Sequence, residues 1–72
     1  MTARYWTGPV PPRCQFSDQP IRTLFVNGYV PKLGIWMILA PGTFRALGGT
    51  LGLGRGQLYE KQPNGDWKKI DG

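Results

Sequence analysis

The sequence has no histidine, one cysteine and only four carboxylates in 72 residues. Each shortage excludes something. A single thiol, Cys14, leaves no partner for an intrachain disulfide. Without histidine, general base duty would fall to Asp, Glu, Lys or Tyr. The carboxylates Asp18, Glu60, Asp66 and Asp71 lie far apart or in turn-forming contexts. Asp66 follows Asn64-Gly65, and Asp18 stands between Ser17 and Gln19 ahead of Pro20; both read as turn chemistry. Cys14 has no histidine to activate it as a nucleophile. No spacing among Cys14 and the acids fits a metal site. The expectation is a chain that is not an enzyme and carries no cofactor.

Long apolar runs are also missing. The longest, Ile35 to Ala40, is six residues, where a membrane helix needs about twenty. The N-terminus has no apolar core of a signal peptide. With its single free thiol, the chain reads as one made in a reducing cytoplasm, where it stays soluble or assembles.

What the chain has in excess is glycine and proline, eleven and seven. Residues 1–13 hold three prolines, which remove donors and disfavour helix before them. They read as an extended arm in which Tyr5 and Trp6 can anchor, either on a neighbour or on the protein's own core. Residues 14–72 read as a single small β domain. Ile21 to Val26 is strand-like, Asn27-Gly28 is a strong hairpin signal, and Pro31 would cut the return strand short. The run Ile35–Leu39 suits a buried strand with Trp36 inside it. Pro41-Gly42 reads as a turn, and residues 43–47 as one helical turn or a loop. Residues 48–56 hold five glycines. A strand over Gln57–Lys61, a turn at Pro63-Asn64-Gly65-Asp66 and a strand over Trp67–Ile70 make a second hairpin, with Tyr59 and Trp67 opposed or diagonal across it. The fold class expected is small all-β, built from antiparallel hairpins.

Gly52-Leu53-Gly54-Arg55-Gly56 has the glycine density of a phosphate cradle. It lacks the Gly-Lys-Ser/Thr ending of a P-loop and the helix of a dinucleotide fingerprint. A structural loop, or a close approach of another backbone, is the simpler reading. The net charge of +5 draws a protein to polyanions, but the cations are spread along the chain. Trp6, Tyr29, Trp36, Tyr59 and Trp67 interleave with them as single-strand binders interleave aromatics and bases. A core this small needs most of its aromatics for itself. Small folds also need a staple; with neither disulfide nor metal, another chain is expected to supply it.

From Cys14 onward the residue order resembles a family of short bacteriophage proteins with zinc-ribbon character. The matching pieces are Pro20-Ile21, Phe25-Val26-Asn27-Gly28, Gly34-x-Trp36-Met37 and Gly52-Leu53-Gly54-Arg55-Gly56-Gln57-x-Tyr59-Glu60; the opening Arg4-Tyr5-Trp6-Thr7-Gly8-Pro9 is similar too. The resemblance implies two C-x-x-C knuckles, at Cys14 and Ser17 and at Ala40 and Thr43. Three of the four cysteines are replaced by small residues, which cannot hold zinc. It therefore implies a metal-free zinc-ribbon-like fold. It also implies a virion accessory protein, made in the host cytoplasm, that cements or decorates a capsid or sits at another joint of the particle. Its partners would be other protein chains, the major capsid protein among them, met through Tyr5, Trp6 and Arg55. The arm and the Gly-rich loop would lie on those neighbours. The alternative is a basic nucleic-acid-binding module using Arg45, Arg55, Lys61, Lys68 and Lys69. Neither reading expects a membrane or a small-molecule substrate.

Overall fold

A computed structural model describes residues 3–72. Four strands form one antiparallel sheet: β1 (Leu24–Val30), β2 (Ile35–Leu39), β3 (Gly56–Lys61) and β4 (Trp67–Asp71). Their order in the sheet is β2-β1-β3-β4. A single helix, α1 (Pro41–Ala46), follows β2. The small, mostly β, antiparallel fold expected from the sequence is the fold found.

The first hairpin differs from its expectation. Asn27-Gly28 is not a turn; β1 runs straight through it, with Asn27 opposite Ile38 and Gly28 opposite Met37. The turn comes later, over residues 31–34. There the Leu33 and Gly34 amides donate to the Val30 carbonyl at 3.0 and 2.8 Å. Gly34 sits at φ +68°, a conformation that costs glycine little. Gly28 instead serves packing. A Cβ there would collide with the ring of Phe44, and so would one at Gly49 or at Gly56. Three glycines, one from β1, one from the loop after α1 and one from β3, thus form a seat for one phenyl ring.

Pro41-Gly42 is likewise not a turn. Pro41 opens α1, where its missing N–H is no loss and its fixed φ suits a helix. Ala40 precedes it in extended geometry. The helix ends at Leu47, and Gly48 follows at φ +81°. Its length of six residues is too short for helical periodicity to register in the sequence.

Strand alternation separates two faces. One carries Val26, Val30 and Leu39, which pack with Phe44 and Cys14 into the buried core. Met37, Ala40, Leu47, Leu51 and Leu58 close around it. The other face carries Phe25, itself fully buried. Phe25 lies under three aromatics: Tyr59 stacks on it at 5.0 Å, and Trp67 and Trp6 meet it edge-on at 5.0 and 5.5 Å. Trp67 pairs with Lys61 and Tyr59 with Lys69, so the two aromatics of the second hairpin stand diagonally. Trp36, expected inside the core, is 47% exposed. β2 is an edge strand, and the face on which Trp36 stands has no helix over it.

The N-terminal segment belongs to the sheet. Tyr5 bridges to Lys68, the Trp6 amide donates to the Trp67 carbonyl at 2.9 Å, and the Lys69 amide donates to the Arg4 carbonyl at 2.8 Å. The arm is therefore extended, as expected, but it lies along this protein's own β4. At the opposite edge, the Gln15 amide donates to the Ile38 carbonyl at 3.0 Å. The Ile38 amide returns a bond to the Gln15 side chain at 2.8 Å. One stretch of chain thus blunts both open edges, which would otherwise invite pairing with another chain.

Candidate functional site

The turn after the arm is held tightly. The Cys14 amide donates to the Gln19 carbonyl at 2.7 Å, and the Asp18 amide donates back to the Cys14 carbonyl at 3.0 Å. Asp18 takes a left-handed φ of +64°, which its short polar side chain tolerates. The Ser17 amide points at the Cys14 sulfur at 3.4 Å. From the start of α1, the Thr43 hydroxyl donates to the Ser17 hydroxyl at 3.0 Å. The backbone of Ala40 also reaches the thiol. Cys14, Ser17, Ala40 and Thr43 therefore converge from the turn after the arm and from the start of α1. What holds them is a hydroxyl pair and amide–sulfur contacts around a buried thiol. Among the described residues, no three of His, Cys, Asp and Glu group closely enough to hold a metal ion.

The thiol is tuned by this nest. Burial pushes it up, but hydrogen bonds from the Ser17 hydroxyl and from the Ser17, Ala40 and Phe16 backbone outweigh that, lowering its pKa from 9.0 to about 7. The folded state therefore releases its proton at lower pH than the unfolded chain does. Its contribution to stability is present in full above pH 9 and is lost as pH falls through 7. Denaturant midpoints are expected to rise between those two pH values in the wild type and to stay flatter in Cys14→Ser. Equal slopes in the two proteins would reject this.

The remaining charged groups do local work. The Asp66 amide and carboxylate both bond Asn64 in the turn between β3 and β4. The Asp71 carboxylate accepts from the Gly72 amide. A groove of about 390 Å³ opens between α1, the Gly-rich loop and the sheet. It is lined by Val26, Phe44, Leu51 and Leu58, and Arg45 is the one charged residue lining it. It offers an apolar wall and no acid–base pair.

The Gly-rich segment folds back on itself. The Gly52 and Gly56 amides exchange bonds with each other's carbonyls at 2.9 and 3.0 Å, and the Arg55 amide donates to the Gly52 carbonyl at 3.0 Å. The loop is anchored to the sheet where the Tyr29 amide donates to the Arg55 carbonyl at 2.8 Å. This places its tip at the same end of the sheet as the β1–β2 turn. Leu53 at that tip is 95% exposed; Leu33 in the other turn and Ile35 at the start of β2 are exposed at the same end. Lys32 and Arg55 are exposed at the same end.

The residues singled out in the sequence scatter accordingly. Tyr5 is exposed, with the Lys68 backbone opposite it, while Trp6 packs on Phe25 and Tyr59. Arg55 stands at the apolar tip. Of the basic set, Arg45 is on α1, Lys61 and Lys69 share the aromatic face, and Lys68 is on the opposite face. Leu33 and Leu53 escaped the sequence reading. Their signal was a large apolar residue set between turn-forming neighbours, where nothing can cover it. No family model matches this sequence, and no curated protein and no solved structure matches it either.

Proposed function

We propose that this chain is a non-catalytic accessory protein of a phage particle, working by contact with another protein chain, with a capsid subunit as its partner. The observation that carries the reading is the exposure of three apolar residues, Leu33, Ile35 and Leu53, at one end of the sheet. A leucine left 95% exposed on a tightly hydrogen-bonded loop is shaped for insertion, since its backbone is already ordered and loses little freedom on docking. Lys32 and Arg55 are exposed at the same end, so the complementary surface is an apolar pocket with an acidic rim. The convergence of Cys14, Ser17, Ala40 and Thr43 supports the zinc-ribbon resemblance and, with it, the phage setting. Asp18 and Asp66 held in turns, and the lack of histidine in the sequence, support a role without catalysis.

Sedimentation of native particles on a density gradient, with and without nuclease, tests the setting. Nuclease-resistant co-migration of this chain with the particles is expected; migration as a free small species would overturn the reading. Leu53→Asp tests the contact. Burying a leucine is worth about 1.5–3 kcal/mol, so occupancy on particles should fall roughly tenfold or more. The circular dichroism of the isolated variant should not change, because the side chain stands free. Undiminished occupancy would remove the tip from the interface.

A further inference from the structure

The sheet face turned away from α1 is a second surface, distinct from the apolar tip. Two aromatic groups stand on it. Trp6, Tyr59 and Trp67 form one, half-buried over Phe25. Tyr29 and Trp36 form the other, 36% and 47% exposed, with ring centroids 6.1 Å apart at 60°. No helix or strand among the described elements covers them.

Charge on this face has one sign. Register places Lys69 opposite Tyr59 and Lys61 opposite Trp67, with the Lys61 ammonium 5.9 Å from the Trp67 ring. The arm adds Arg4, whose carbonyl bonds the Lys69 amide. Arg55, already placed at the apolar end, borders this face where its carbonyl accepts from the Tyr29 amide. None of the four carboxylates joins them. Glu60 alternates to the other face, opposite Leu24 and Lys68, and Asp71 pairs with Leu58 of that same face. Asp66 is held in its turn by Asn64, and Asp18 lies in the turn beside Cys14.

Exposed rings interleaved with cations, without acids, match a polymer of flat bases on an anionic backbone. We infer that this face binds single-stranded nucleic acid. Bases stack on Trp36 and Tyr29, while Lys61, Lys69, Arg4 and Arg55 neutralise phosphates. Stacking needs bases released from pairing, so a duplex is a poor ligand. An open four-stranded sheet is a geometry on which aromatics can present such stacking surfaces.

The full chain is titrated with labelled oligothymidylate, oligouridylate and a mixed-sequence duplex, following anisotropy at low and at physiological salt. The two single strands separate a DNA from an RNA ligand, and binding of either supports the inference. The affinity should fall with salt, at a logarithmic slope near −0.7 for each phosphate contact, and the double variant Lys61→Glu with Lys69→Glu should lose about 1.4 of that slope. Trp36→Ala should weaken binding about fivefold or more; its side chain is half in solvent, and a melting curve verifies that the variant folds. Absence of binding at low salt, equal affinity for the duplex, or unchanged affinity in Trp36→Ala would overturn the inference. None of these outcomes bears on Leu53, so the apolar tip stands or falls separately.

Discussion

Phe44→Ala is expected to leave the chain unfolded at room temperature. Phe44 is 3% exposed and is the side chain through which α1 is fixed to the sheet. Removing a buried phenyl costs about 3–5 kcal/mol, because the cavity collapses only in part. Collapse is especially hard here, since the ring rests on three glycines that have no side chains with which to fill the space. A chain below about 70–80 residues rarely draws more than about 3–5 kcal/mol from its core, so the loss matches the whole reserve. Near-ultraviolet circular dichroism and a thermal melt would check this. A cooperative melt within a few degrees of the wild type would refute it. The converse change, Gly28→Ala, overfills the seat and should cost about 1–3 kcal/mol. In a Phe44→Leu background that cost should shrink, and a double-mutant cycle reads the difference as coupling between contacting residues.

Trp6→Ala is expected to strike the fold, because of the two seats the sequence leaves open for this residue, a neighbour or the protein's own core, the structure shows the second. Were Trp6 of the Pro-rich arm an anchor for a neighbour alone, its loss would spare the isolated protein. In place, it meets Phe25 and Tyr59 edge-on, each at 5.5 Å. Such pairs contribute about 0.5–1.5 kcal/mol each beyond their burial. Truncation should therefore lower stability by about 1–3 kcal/mol, and the melting temperature by roughly 4 °C or more. Tyr5→Ala is the control: Tyr5, next to Trp6 in sequence, is 48% exposed, and its loss should leave the melt unchanged. Equal effects of the two substitutions would mean that the arm is not seated as described.

These two residues also mark where the sequence was legible. The second hairpin could be read because its turn chemistry, Asn64-Gly65-Asp66, lies between strands with nothing else to explain it. Asn27-Gly28 has the same local signature, yet the glycine is there for the Phe44 ring, a contact across 16 residues that no local pattern encodes. Trp36 misled for a related reason. A continuous apolar run predicts burial on both faces, but β2 is an edge strand with only one face covered. Ser17 and Thr43, two positions singled out only by the family resemblance, meet as a hydroxyl pair across 26 residues, a contact that no local pattern encodes. Leu53 was hidden among glycines, where composition suggested only a flexible loop.

The clasp of the arm on β4 has a consequence for how the protein is made. Arg4 and Trp6 are synthesised 65 and 61 residues ahead of their hydrogen-bonding partners Lys69 and Trp67. At about 5–20 residues per second, that pairing waits roughly 3–12 s after the arm emerges. Through that interval Trp6 has no strand to lie along, and Phe25 lacks two of the rings that will cover it. Every translation product ending before Trp67 therefore keeps an unclosed sheet and an aromatic patch, which proteases and chaperones can tell from a chain whose sheet has closed.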